Sequence, residues 1–258
     1  MSLRRLDTEM VRRHLAESRT AAREAITSGR VEVEGVVEPK AATMVAASTA
    51  VRFAAPSRQY VSRGGHKLAA ALEVFALDAV GRRALDVGAS TGGFTDCLLQ
   101  AGAASVVAVD VGYGQIHWRL RNDPRVVVVE RTNFRDADPA GLGAPFDVVV
   151  VDLSFIGLAK VAGRLAACGG PGTDHVLLVK PQFEVGKGLV GKGGIVRDPA
   201  LHRSSLEAVA AALAAAGLGV RGGVASPITG AKGNREFLMW ARRGQGEEPA
   251  AVIDRMLA

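Results

Sequence analysis

"LDVGASTGGFTD", residues 85–96, is entered from one apolar run and left into another, with Gly88, Gly92 and Gly93 between them. Glycines so placed suit a tight turn from a strand into a helix, where the backbone comes close to a ligand. Set against the phosphate-binding pattern G-x-x-x-x-G-K-[ST], Gly88, Gly93 and Thr95 match, but Phe94 stands where the lysine belongs. The dinucleotide pattern G-x-G-x-x-G fails at Ser90. A nucleoside without phosphates is the better ligand for such a turn.

From Gly64 onward the chain repeats this rhythm. The apolar runs LDV, SVVAVD, VVVVE, DVVVVD and HVLLVK alternate with helical segments, as a parallel sheet buried on both faces requires. The spacing predicts an α/β, Rossmann-like, doubly wound and mostly parallel sheet. Asp110 closes the second run, where an acidic side chain accepts hydrogen bonds from ribose hydroxyls, and Asp86 at the end of the first can receive the cationic end of a ligand. S-adenosylmethionine carries a sulfonium cation and no phosphate, so a phenyl at Phe94 suits it where a lysine would repel it. After Arg243, Val252, Ile253, Met256 and Leu257 recur at helical spacing and predict a packed closing helix.

Composition changes near residue 57. Leu6, Met10, Val11 and Leu15 recur at helical spacing, and Ala21, Ala22, Ala25 and Ile26 repeat it behind a Ser18 cap. Gly29 is read as the end of that second helix. Val31 and Val33 then form a strand, Glu34-Gly35 turns the chain, and Val51 and Phe53 supply the return strand. Residues 1–57 thus form a small domain, 58–63 (RQYVSR) a connector, and 64–258 the α/β domain. Arg19 and Arg23 lie one helical turn apart, and Arg4, Arg5, Arg12, Arg13, Arg30 and Lys40 surround them in sequence with few acids at pairing distance. Phosphate contact through guanidinium groups and a plain solvated face are both open readings.

The 258 residues, 48% of them hydrophobic, suffice for a sizeable core. No apolar stretch approaches the roughly 20 residues that span a bilayer, and the charged start MSLRRLDTEM lacks the apolar centre of a signal peptide, so a cytoplasmic location and no membrane partner are expected. Cys97 and Cys168 stand alone, with neither C-x-x-C nor nearby histidine spacing, and predict no metal site and no disulfide framework. A net charge of +6 suits a polyanionic partner without requiring one.

"SRTAAREAITSGRVEVEG", residues 18–35, resembles the alpha-L RNA-binding domain: Ser-Arg, a small-residue helix, Gly, V-x-V and a Gly turn, with Glu34 departing from the usual Asn or Asp. That resemblance implies structured RNA held through Arg5, Arg19, Arg23 and Lys40. In the second domain, Lys67 in RGGHKL, Asp152 in VVVVDLSF, Lys180 in LLVKPQFE and Glu236 in GNREFLMW stand in an order similar to the K-D-K-E tetrad of the FtsJ family of ribose 2'-O-methyltransferases. Together with SRGGHKL, DVGASTGGFTD, DVGYGQ, RNDPRV, DLSFI and VKPQFEVGKG, this makes residues 3 to 243 resemble the TlyA family of ribosomal RNA (cytidine-2'-O)-methyltransferases, some members of which carry the label haemolysin. The resemblance implies S-adenosylmethionine as cofactor and cytidine riboses in ribosomal RNA of one or both subunits as substrate, with an effect on susceptibility to capreomycin-type antibiotics. It implies a cofactor set of Asp86, Gly88, Ala89, Ser90, Gly92, Gly93, Phe94, Thr95, Asp110, Val111, Asn133 and Asp152. A monomer is expected.

Lys180 is the expected base for the ribose hydroxyl, oriented by Asp152 and Glu236; if it keeps its charge it positions the hydroxyl and stabilises developing alkoxide. A lysine between two carboxylates is also read as a buried ion-pair network. Phe155 is read either as a platform for an unstacked base or as ordinary core, and the loop GKGLVGKGGIVRD, residues 186–198, either as touching RNA or as solvated. D-L-S-F in place of a D-P-P-Y-like motif argues against exocyclic amine methylation, and neither cysteine suits a cytosine C5 nucleophile. A non-catalytic RNA-binding or ribosome-assembly factor is the competing reading, and nothing in the sequence supports a haemolytic pore.

Overall fold

In the computed structural model, residues 3–27, 30–38, 40–53, 60–230 and 232–258 are described. The chain divides into two compact units, residues 1–59 and 60–258.

The small unit contains β1 (Leu3–Arg5), α1 (Leu6–Arg12), α2 (Arg19–Thr27), β2 (Val31–Val33), β3 (Val36–Val37), β4 (Met44–Ala46) and β5 (Val51–Phe53). Ser18 Oγ accepts from Ala21 N at 3.1 Å and caps α2. Leu6, Met10, Ala22, Ala25, Ile26, Val31 and Val45 close the core. The turn at Glu34-Gly35, both at positive φ, returns the chain into β3, and Val51–Phe53 pairs with the opposite edge of β2. The expected two-strand hairpin is thus a three-stranded sheet, and β1 pairs β4 in a second ribbon absent from the sequence reading. Gly29, the expected end of α2, lies outside the described residues.

The larger unit runs α3 (Gly64–Val74), β6 (Arg83–Val87), α4 (Gly93–Gln100), β7 (Ser105–Val109), α5 (Trp118–Arg121), β8 (Val126–Val129), β9 (Phe146–Val151), α6 (Ala162–Ala167), β10 (Gly169–Val179), α7 (Pro181–Glu184), α8 (Pro199–Ala215), β11 (Leu218–Ala225), β12 (Phe237–Arg243) and α9 (Pro249–Leu257). Its seven strands lie in the order β11-β12-β10-β9-β6-β7-β8, with β12 antiparallel to both neighbours and the other pairings parallel. One face of the sheet packs Leu165, Leu206, Val209 and Ile253 from α6, α8 and α9; the other packs Leu68, Leu98 and Phe94 from α3 and α4. Burial on both faces explains why the parallel strands are continuous apolar runs. β11, interrupted by Gly219, Gly222 and Gly223, carries no such run and was not foreseen. A Cβ at Gly223 would stand 2.2 Å from Met256 Sδ and 2.9 Å from Val252 Cγ1, so a larger residue there would have to displace side chains of α9.

The connector reading fails for residues 60–63. Tyr60 packs its ring over Gly65 and edge-on against His66 at 5.1 Å. Val61 N donates to Asp96 Oδ2 at 2.8 Å, and Arg63 donates to Thr229 O. An aromatic side chain and paired backbone make this segment part of the second unit.

Candidate active site

Parallel strands converge on the site through their carboxyl ends, where the ligand crevice of an open α/β sheet lies. Asp110 follows β7, and its two carboxylate oxygens accept from Ser90 N at 2.7 Å and Gly112 N at 2.6 Å. The carboxylate is thereby fixed in orientation while a lone pair on each oxygen stays available. A cavity of about 470 Å³ opens beside it, lined by Gly88, Ser90, Asp110, Val111, Asn133, Asp152, Ser154 and Phe155 among others. A smaller recess of about 120 Å³, lined by Ser62, Lys67, Ala89, Gly93 and Phe94, shares Gly88, Ser90 and Asp152 with it. Gly88 holds this junction: at φ +87°, a Cβ there would stand 2.6 Å from the Asp152 carbonyl oxygen.

The four chemistry-bearing residues form two pairs. Lys67 Nζ, on the first turn of α3, lies 2.5 Å from Glu236 Oε2, both side chains buried. Lys180 Nζ, at the end of β10, lies 2.5 Å from Asp152 Oδ1 and donates to Ser154 Oγ at 3.0 Å. The expected lysine between two carboxylates is therefore corrected: Glu236 pairs with Lys67, because β12 delivers it beside α3, while Asp152 and Ser154 flank Lys180. Ser154 was not assigned from sequence, although its place two residues beyond Asp152 in the same strand-end loop was the available signal. Lys67, Lys180 and Glu236 are buried and Asp152 partly so, and removing one partner of either pair would leave the other without its compensating charge.

A model of the FtsJ-like methyltransferases matches residues 60–243, and one of the S4 domain matches residues 4–51. A Mycobacterium tuberculosis protein named 16S/23S rRNA (cytidine-2'-O)-methyltransferase TlyA is 54% identical over 239 residues, 92% of this chain and 89% of the relative. The chain belongs to the TlyA family of FtsJ-like methyltransferases. Brachyspira hyodysenteriae Hemolysin A is another relative, 39% identical over 91% of this chain and 98% of its own. Among solved structures, a protein described as a hemolysin from Streptococcus thermophilus superposes with a TM-score of 0.74 at 38% identity, over 99% of this chain and 95% of that one. The N-methyltransferase NodS from Bradyrhizobium japonicum, 16% identical with a TM-score of 0.51 over 71% of this chain and 96% of its own, shares the fold alone. Among the described residues of this TlyA-family chain, no helix is long and apolar enough to cross a membrane.

Methyltransferases of this family take S-adenosylmethionine as methyl donor, and the residues present fit it. The glycine turn carries no lysine, Asp110 offers an oriented carboxylate at the rim of a nucleoside-sized cavity, and that cavity joins the recess of the lysine–carboxylate pairs at Asp152. Three residues of the expected cofactor set line neither space. Gly92 caps α4 in the left-handed region against Leu120, and Thr95 Oγ1 donates to Asp86 Oδ2 at 2.6 Å. Asp86 itself is fully buried, its Oδ1 without a described hydrogen-bond partner, and burial pushes its carboxyl up to about 7. It sits beneath the turn rather than in the crevice.

Phe155 is 92% exposed at φ 68°, which excludes ordinary core, and its ring meets Phe183 at 5.3 Å between centroids. Glu184, whose carboxyl is raised by burial, accepts from Leu158 N at 2.9 Å and steadies the same loop. Residues 186–198 are seated at their far end: buried Asn234 accepts from Val196 N and donates to Gly194 O, both at 2.9 Å. Cys97 and Cys168 are buried and line neither space.

In the S4 unit the premise of few acids near the arginines is overturned. Asp7, 0% exposed, pairs with Arg5 at 3.0 Å, Arg23 at 3.0 Å and Arg19 at 3.4 Å. Glu9 pairs with Arg12, Arg13 and Arg4. Lys40 is exposed; its backbone N–H donates to Glu38 Oε1 and its carbonyl accepts from Thr43 N.

Proposed function

We propose that this chain transfers a methyl group from S-adenosylmethionine to the 2'-hydroxyl of a cytidine in ribosomal RNA, in the cytoplasm, with the S4 unit holding RNA through Arg5, Arg19, Arg23 and Lys40. The supporting observation is the junction at Gly88 and Asp152, where the cofactor-sized cavity meets the recess lined by Lys67 and Asp152. The choice of cytidine follows the name of the Mycobacterium tuberculosis relative, a (cytidine-2'-O)-methyltransferase.

When bound, S-adenosylmethionine supplies the electrophilic methyl group. Asp110 holds the ribose hydroxyls of the cofactor; Gly88, Ala89, Ser90, Gly93 and Phe94 shape the walls around it, with Val111 and Asn133 at the rim. A ribose 2'-hydroxyl is a very weak acid, so transfer requires its oxygen to be held in line with the methyl carbon and its proton accepted as the bond forms. In its neutral amine form Lys180 Nζ accepts that proton on its free lone pair, with Asp152 and Ser154 fixing where Nζ stands. Lys67, tied to Glu236, places a positive charge on the developing alkoxide. Phe155 presents a bare ring on which the target base, taken out of its stack, can rest. The test is to map 2'-O-methyl groups on ribosomal RNA incubated with enzyme and cofactor. New methyl groups confined to specific cytidine riboses support the reading; RNA that binds and stays unmethylated favours the assembly-factor reading and overturns it.

A further inference from the structure

The three arginines of the S4 unit named above are gathered by one anion. Arg5 grips Asp7 through Nε at 3.1 Å and Nη2 at 3.0 Å, Arg23 through Nε at 3.0 Å, and Arg19 through Nη2 at 3.4 Å. The carboxylate is 0% exposed, whereas the three guanidinium side chains are 40%, 55% and 55% exposed. They roof it. Hydrogen bonding from Arg5 holds the Asp7 carboxyl well below the usual carboxylate range, so it stays an anion under any ordinary condition. Among the described hydrogen bonds these three guanidinium groups have no other acceptor, and each keeps N–H groups unused.

Glu9, two residues along the same helix, provides the contrast, since residues at that spacing do not share a helix face. One arm of its network ends in the fold: Arg13, 20% exposed, donates onward to Thr49 O at 2.7 Å and Ala46 O at 3.0 Å, tying α1 to β4 and the turn after it, while Arg4 and Arg12 on the same carboxylate are exposed. The Asp7 network ends in solvent. An arginine loses part of its rotamer freedom when it binds a phosphate, and a side chain already held in place loses less.

We infer that Asp7 is a positioning residue for RNA: a buried carboxylate that holds Arg5, Arg19 and Arg23 together as one pre-formed phosphate fork. The inference rests on the reading that these arginines contact RNA. It makes a prediction opposite to charge counting. Removing an acid raises the net positive charge and on Coulomb grounds alone strengthens RNA binding, most at low salt. Loss of positioning weakens it at every salt concentration.

The experiment measures binding of the full chain to protein-free ribosomal RNA by filter retention across a salt series, for wild type, Asp7→Asn, Arg19→Met/Arg23→Met, and the triple variant. The expected result is a loss of about 3-fold to 10-fold for Asp7→Asn at all salt concentrations, and a smaller loss when Asp7→Asn is added to the arginine variant, where only Arg5 is left for Asp7 to position. Affinity that rises or holds in Asp7→Asn overturns the inference. So does an equal loss in both backgrounds, which is the signature of damaged folding. If Arg19→Met/Arg23→Met binds RNA as wild type does, the reading beneath fails as well. Should Asp7→Asn melt below the assay temperature, Asp7→Glu takes its place: it keeps the charge and displaces the carboxylate by one methylene, so weaker binding at constant net charge supports the inference and unchanged binding overturns it.

Discussion

Lys180 Nζ stands 2.5 Å from Asp152 Oδ1, and the backbone carbonyl of that same Asp152 closes against Gly88 so tightly that a Cβ there would lie 2.6 Å away. One residue therefore orients the proposed base with its side chain and shapes the proposed cofactor turn with its backbone. Distances between the two functions are set by the ends of the adjacent parallel strands β6 and β9.

Asp110→Ala removes a carboxylate that fixes Ser90 N and Gly112 N and faces the larger cavity. S-adenosylmethionine affinity is expected to fall by about 1–3 kcal/mol, the cost of leaving polar partners unsatisfied, with binding to ribosomal RNA unchanged. Titration calorimetry reads this directly, and an unaltered dissociation constant rejects the ribose contact.

Asp86 gives the fold a pH dependence. Its carboxyl ionises near 7 in the folded chain against 3.8 ordinarily, so between those values the folded state holds a proton that the unfolded state releases, and stability falls as pH rises. The contribution is complete below about pH 4 and lost through pH 7; the whole difference corresponds to about 4 kcal/mol. Asp86→Asn does not titrate. Melting curves of the cofactor-free protein should show the variant gaining on wild type from pH 4 to 7 and the gap levelling above; a constant gap contradicts the assignment.

Phe155→Ala deletes a ring that is 92% exposed, so melting should shift little. If the ring carries a flipped base, methyl transfer per unit RNA falls by the equivalent of about 1–3 kcal/mol of stacking. Single-turnover rates at subsaturating RNA check this, and rates equal to wild type would leave Phe155 without a role in the reaction.

Strand identity was legible because parallel strands buried on both faces must be runs of apolar residues, and the acids and lysines closing those runs had to reach the crevice. Partnership was not legible. Glu236 meets Lys67 across most of the sequence only because β12 inserts antiparallel between β10 and β11, a placement with no local signal. Asp7 was overlooked for a related reason: Arg5 is its near neighbour in sequence, but Arg19 and Arg23 reach it only through the packing of α1 on α2. β11 has no local signal because its glycines break the apolar pattern, and at Gly219 the backbone at Gly244–Gly246 leaves no room for a Cβ. Tyr60–Arg63 looked like a connector by composition, and only packing under α3 shows otherwise.

Lys180→Met tests the central claim most directly, because it keeps the apolar stem and removes only the amine. Single-turnover methylation of ribosomal RNA, measured beside a melting curve and cofactor titration on the same preparation, should fall by about 10²-fold to 10⁴-fold with S-adenosylmethionine binding retained. A variant that methylates at near wild-type rate per folded molecule, losing only stability as Asp152 is left unpaired, would contradict Lys180 as the base and make the pair a structural one.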